Sequence, residues 1–310
     1  MNEIFDIYKR QFTQEIKMEQ KPRIIVHRKV YDLTHAKHNP AICLTPGLFQ
    51  SVKPNERKRT KLDITYKYGD KTISFLGYEI LDASDMRLLQ FLVAMGTHAP
   101  TISKPIINVR EPHLFPILKT KDQNIINNAI VEGQKKDVII IKTHIRKLLT
   151  EMNITTGGKN FQNIRTRLKR LASITIWVDN EKEEAAYYLL NYKFDKESEM
   201  LHIELNNTIT NTIIQNTNYT LIELDEIRQL KTAPARLVHQ RLCGWINFGK
   251  NGTVGMDTLC DYIWTTPTLT HNIKKHRKQV IKKTIEELKS IGWKIWEAEP
   301  GQYNIFRVHD

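Results

Sequence analysis

Cysteine is scarce: the chain holds Cys43, Cys243 and Cys260, and 3 is its whole count. There is no C-x-x-C pair, and the spacing fits no zinc framework. Buried reduced thiols are the expectation. Histidines are scattered. His35 and His38 sit three apart without a carboxylate or thiol beside them, so no metal site is expected. Long apolar runs are also missing, since none approaches the ~20 residues that cross a bilayer. The first residues, MNEIFDIYKRQFTQEIKMEQ, carry acids early and no apolar signal core. A cytoplasmic chain with no membrane partner is expected. Acids are in deficit: 34 Asp and Glu stand against 47 Lys and Arg, a net charge of +13. Such an excess favours a polyanionic partner, nucleic acid first. A phosphate loop is absent too. Gly157-Gly158-Lys159 is a fragment of one, but Asn153 stands where the first Gly belongs and Asn160 replaces Ser or Thr. No acid pair stands at a catalytic spacing. The chain is expected to be no enzyme and to need no cofactor.

What is present is most distinctive from Thr268 to Lys289, TLTHNIKKHRKQVIKKTIEELK. At about 100° per residue, Leu269, Ile273, Val280, Ile281, Ile285 and Leu288 share one arc. His271, Asn272, Lys275, Lys278, Gln279, Lys282 and Lys283 share the other. The first arc asks for a core. The second offers cations for phosphates and amides suited to adenine edges. Lys274 and Arg277 lie toward the apolar arc and pack through their stems. A ribbon follows: WKIWEA, Pro300-Gly301, YNIFRV. Its Trp293, Trp296, Tyr303 and Phe306 are read as core rather than as base-stacking platforms. A helix followed by a two-stranded ribbon is the end of a winged helix.

Earlier, KNFQNIRTRLKRL repeats the theme from Lys159 to Leu171. Phe161, Ile164, Leu168 and Leu171 face inward. Lys159, Gln162, Asn163, Thr166, Lys169 and Arg170 face outward, with Arg165 and Arg167 on the flanks. This helix has no acid, whereas a merely solvated helix usually carries i,i+4 partners. Before it stand the strand VIIIK (138–142) and the helix THIRKLLTEMN. After it stand the strands ITIWVD, AAYYLLNYKFD and EMLHIELN, with a turn from Asp195 to Glu199. Upstream, LDITYKY and KTISFLGY are strands around Gly69-Asp70. DMRLLQFLVAMG is a core helix capped by Asp82 or Ser84. Thr97 to Pro116 reads as a loop or embellishment.

The same order recurs downstream. TLIELDEIRQLKTAPARLVHQRLCGWI forms two helices, or one broken near Pro234. GTVGM is a short strand, and DTLCDYIW is a helix capped by Asp257. The expected fold class is α+β: two tandem winged-helix domains with an N-terminal helical arm. The arm covers 1–35, the first domain 36–206 and the second 207–310, joined near Asn206 to Tyr219. In the arm, Ile4, Phe5, Tyr8, Phe12 and Ile16 form an apolar stripe. It is a detachable or partner-docking helix, or one packed on its own domain. RIIVH after it reads as a strand. In ERKRTK (56–61), Arg57, Lys58, Arg59 and Lys61 are either a third phosphate contact or a solvated basic loop.

Longer runs resemble a known family. HNPAICLTPGLF (38–49), ERKRTKLDITYKYGD (56–70), LLQFLVAM, TAPARLVHQRLCGWI (232–246), MDTLCDYIW (256–264), LKSIGWKI and GQYNI are similar to the RepC replication initiators of IncQ-type plasmids. The resemblance runs from about His38 to the C-terminus. It implies a protein that binds iteron repeats in double-stranded origin DNA and promotes melting of an adjacent AT-rich region. It also implies work with a plasmid-encoded helicase and primase. It leaves open whether the acting form is a monomer or a homodimer. It does not transmit the preferred repeat, because His271 to Lys275 follow no pattern that carries over. A winged-helix transcriptional repressor without initiator activity would use the same two heads and is the alternative.

Overall fold

The computed structural model describes residues 31–52, 57, 60–99, 101–107, 130–181, 184–216, 218–265 and 270–308, with side chains omitted for 101–107 and 130–137. The arm stripe, the RIIVH strand, Lys58, Arg59 and Leu269 lie outside the described residues. From Leu33 to Asp310 the chain is one compact unit. No helix among the described residues is long and apolar enough to cross a membrane.

Two strands open that unit: β1 (His35–His38) and, after helix α1 (Pro40–Leu44), β2 (Phe49–Gln50). His35 and His38 fall on opposite faces of β1, so they do not form a pair. Only His38 is fully buried, and burial lowers its pKa to about 4. A hairpin follows, β3 (Leu62–Tyr68) and β4 (Lys71–Gly77), closed at Gly69-Asp70 as the alternation requires. After β5 (Leu81–Asp82) comes α2 (Ala83–Thr97). Asp82 caps it, accepting from the Ser84 and Asp85 amides at 2.7 and 2.9 Å, while Asp85 reaches back to the Asp82 amide at 3.0 Å. This reciprocal cap holds the first turn. From Asp85 to Gly96 the helix is buried throughout, so it is the centre of the core.

From α2 onward one order of elements occurs twice. The first copy is α2, β7 (Ile130–His144), α3 (Ile145–Glu151), α4 (Gly158–Ala172), β10 (Leu190–Phe194) and β11 (Met200–Leu205). The second is α7 (Ala233–Trp245), β13 (Asn251–Gly255), α8 (Met256–Asp261), α9 (His271–Ser290), β14 (Lys294–Glu299) and β15 (Gln302–Phe306). In each, the last strand sits between the other two: β7, β11, β10 in one sheet and β13, β15, β14 in the other. All these pairings are antiparallel. The β14–β15 turn places Gly301 at φ +79°, a conformation costly for other residues. Pro234 opens α7 rather than breaking a helix, since the first turn needs no amide there.

Several expectations need correction. Part of the stretch read as a loop is a strand, β6 (Thr101–Ile107), paired with β7. AAYYLLNYKFD is two strands in two sheets. β9 (Glu184–Tyr188) pairs with β8 (Thr175–Asp179), which joins the β3–β4 hairpin, whereas β10 belongs to the first copy's ribbon. The break falls at Leu189 and Leu190, both fully buried, so alternation fails there. The supposed joint after Asn206 is a helix, α5 (Asn207–Gln215), with Ile209, Thr210, Thr212 and Ile213 inside. Asn206 caps it at 2.9 Å, and Asn216 ends it at φ +53°. Gly255, not Asp257, is the cap residue of α8.

Packing does not break at Asn206. β1 pairs with β12 (Thr220–Glu223), and α6 (Leu224–Gln229) follows directly. Gln90 of α2 donates to Gln240 of α7 at 2.8 Å, deep inside. The two copies therefore share one core.

Candidate nucleic-acid interface

The cap residue Thr270 starts α9, its hydroxyl accepting from the Ile273 amide at 3.3 Å. Every residue from His271 to His276 is exposed. Arg277, Ile281, Thr284, Ile285 and Leu288 form the buried stripe. That stripe is narrower than the expected arc, because Ile273 remains 42% exposed at one edge. Arg277 replaces it: its guanidinium lies 5.2 Å from the Trp264 ring centroid. Asn272, Lys275, Gln279, Lys282 and Lys283 stand on the exposed face with His271, without a hydrogen bond or ion pair to any described residue. Lys278 departs from the expectation. It is half-buried, and with Lys274 it flanks Asp257 of α8, each nitrogen 3.5 Å from the carboxylate. Asp257 thus places one carboxylate of α8 between two cations of α9. The sequence signal for it was an acid one helix ahead of a cationic one.

The first copy presents α4 in the same position of its order. Ile164, Leu168 and Leu171 are buried, with Phe161 at the margin. Lys159, Gln162, Thr166 and Lys169 are exposed, and Asn163 is partly so. The Thr166 hydroxyl donates to Gln162 O at 2.9 Å, which leaves its lone pairs outward. Arg165 lies over Phe194 of the ribbon at 5.0 Å. Arg170 is not on the outward face. It is 5% exposed and grips Asp85 through Nε and Nη2 at 2.7 to 3.2 Å. Helical spacing places it at the arc's edge, where α2 supplies a carboxylate. Its charge orients α4 and is removed from any ligand.

Arg57 is also engaged. It pairs with Asp82 at the start of α2, so its charge stabilises the cap region. Lys61 remains exposed. The ribbon aromatics divide: Trp293 and Tyr303 are core, whereas Trp296 is 48% exposed.

Among the described residues one group could offer three metal donors: Glu226, His239 and Cys243. Its geometry is that of an ion pair. His239 Nε2 lies 2.5 Å from Glu226 Oε2. An ion bound to both at ordinary ~2.05 Å lengths would subtend only about 75°, far from tetrahedral. Cys243 Sγ is 3.9 and 3.6 Å from the two ring nitrogens, so neither lone pair aims at it. Trp293 Nε1 donates to the other Glu226 oxygen at 3.1 Å, tying the ribbon to α6 and α7. Burial opposes charge on His239, but the Cys243 and Glu226 neighbours outweigh it and raise the pKa to about 10. Glu226 is lowered by His239 against its own burial. A histidine raised in the folded state stabilises fully below its unfolded pKa of ~6.5 and loses that contribution as pH rises through the folded value. Urea melts should therefore show stability declining between pH 6.5 and about 10. The decline should be absent in His239→Gln.

The family model of Replication protein C (RepC) matches residues 30–309. The chain belongs to the RepC family. By family it is a DNA-binding replication initiator, and the match spans both copies. No curated protein matches the sequence. Among solved structures, this RepC-family chain is similar to crystalline domains 2 and 3 of RctB. For the selenomethionine form, TM-score is 0.51 and identity 10%, over 87% of this chain and 99% of that one. A second RctB domains 2–3 structure gives 0.50 and 10%, over 86% and 96%. The Pi initiator protein in complex with iteron DNA gives 0.41 and 14%, over 55% and 82%. At these identities the RctB likenesses show the fold alone.

Proposed function

We propose that this RepC-family protein binds iteron repeats of a plasmid origin as duplex DNA, through two winged helices. It then promotes local melting and helps load the replicative helicase, in company with a primase. The observation that carries the reading is the repeated topology. Twice, the third helix of one element order turns an uncovered cationic and amide-bearing face to solvent. In helix-turn-helix folds the second helix of the motif enters the major groove with its N-terminal part leading. α9 then sets His271, Asn272 and Lys275 against base edges. Gln279, Lys282 and Lys283 lie further along, and Lys282 and Lys283 suit phosphates. α4 does the same with Lys159, Gln162, Asn163, Thr166 and Lys169. Two unlike heads about one helical turn of DNA apart, ~10 bp, suit a long asymmetric repeat. The protein acts by binding and does not itself hydrolyse nucleotide.

Footprinting on the origin of the encoding replicon tests this directly. Protection should fall on tandem repeats, and its absence there would refute the reading. Asn272→Ala should weaken cognate binding by ~1–3 kcal/mol and leave non-specific binding nearly unchanged. Equal loss on both DNAs would make Asn272 a structural or backbone-positioning residue.

A further inference from the structure

One apolar side chain stands among the polar groups at the leading end of α9. Ile273 lies in the first turn and is 42% exposed. Among the described residues it is the one large hydrophobic left exposed on either reading helix, since Phe161 of α4 packs against the core. Its neighbours turn away from it. Lys274 reaches back to Asp257 of α8 at 3.5 Å. Arg277, one turn on, lies over Trp264. The place of Ile273 is nonetheless fixed, because its amide donates to the Thr270 hydroxyl that caps the helix.

The segment around it has the reach of a groove reader. The first buried residue of α9 is Arg277. At ~1.5 Å per residue, 271–276 carry the helix about 9 Å ahead of it. The major groove of B-form DNA is about 8.5 Å deep. The base edges there present donors and acceptors, with one apolar group among them, the thymine C5-methyl. An isoleucine set against guanine, adenine or cytosine would strip water from polar atoms and return no hydrogen bond. Set against a thymine methyl, both apolar surfaces leave water together.

We propose that Ile273 packs on the C5-methyl of a thymine in the bound repeat and so makes α9 select that base. This rests on the duplex-binding reading above. It adds a methyl contact to the hydrogen bonds that His271, Asn272 and Lys275 offer.

The test uses the full chain and a set of repeat-bearing duplexes in which each thymine in turn becomes deoxyuridine. That change removes the methyl and keeps every hydrogen-bonding edge. At one position the wild type should bind about fourfold more weakly, the equivalent of ~0.8 kcal/mol for one buried methyl-sized group. Ile273→Ala should bind the thymine repeat at least about fourfold more weakly and be indifferent to deoxyuridine at that position. Ile273→Val should keep most of the sensitivity. Non-specific duplex should bind Ile273→Ala and wild type alike. Because the side chain is exposed, Ile273→Ala should also melt with the wild type. A wild type that binds the repeat but responds to no deoxyuridine overturns the contact. So does a deoxyuridine penalty that persists in Ile273→Ala, or an equal loss by Ile273→Ala on both DNAs. Failure of the wild type to prefer the repeat at all would instead refute the functional reading.

Discussion

Asp85→Ala should lower the free energy of unfolding by about 3–5 kcal/mol, the usual result of leaving a buried charge without its partner. Asp85 is 0% exposed and Arg170 5%. The pair is two-toothed, with Nη2 to Oδ1 at 2.7 Å. Removal of the carboxylate strands a guanidinium between α2 and α4, with Glu79 left 4.0 Å away at a wetter position. It also deletes half of the reciprocal cap on α2. The double change Asp85→Ala with Arg170→Met should recover much of the loss, since an apolar replacement leaves no ion to solvate. Guanidinium melts of the wild type, the single mutant and the double mutant at neutral pH measure both values. A single mutant as stable as the wild type would mean that the pair is not sequestered. Because Arg170 orients α4, DNA affinity should fall in the single mutant even below its melting temperature.

Affinity for the repeat should fall about 10³–10⁵-fold between 50 and 200 mM salt if ~8 phosphates are contacted. The cations that would release counterions are exposed: Lys159 and Lys169 on α4, and Lys275, Lys282 and Lys283 on α9. Lys278 contributes less, because Asp257 already answers it at 3.5 Å. Arg57 and Arg170 contribute little for the same reason. Fluorescence anisotropy across that range checks the slope. A flat response would contradict the electrostatic half of the account.

Elements with an unbroken period are legible in the sequence. The β3–β4 hairpin, the largely apolar α2, and the two-faced α4 and α9 all stand where periodicity places them. What escapes is decided by distant partners. α5 is written NTITNTIIQ, whose threonines hide a helix that burial against the core stabilises together with the Asn206 cap. The sheet change at Leu189 and Leu190 is invisible because two consecutive apolar residues fit either strand. The candidate site divides in the same way. Asn272, Lys275 and Gln162 are exposed as helical geometry demands. Arg170 and Arg57 are withdrawn by acids on α2 that lie far away in sequence. A helical wheel shows which way a side chain leaves its own axis, and cannot show what waits there.

The pairing of β1 with β12 bears on how the molecule is made. Residues 35–38 leave the ribosome early and must wait for residues 220–223 before their edge is covered. Such non-local closure is slow compared with helix formation. The nascent first half thus keeps one strand edge uncovered until β12 emerges. A chain truncated before Thr220 would yield an aggregation-prone fragment rather than a one-headed binder able to occupy the origin unproductively.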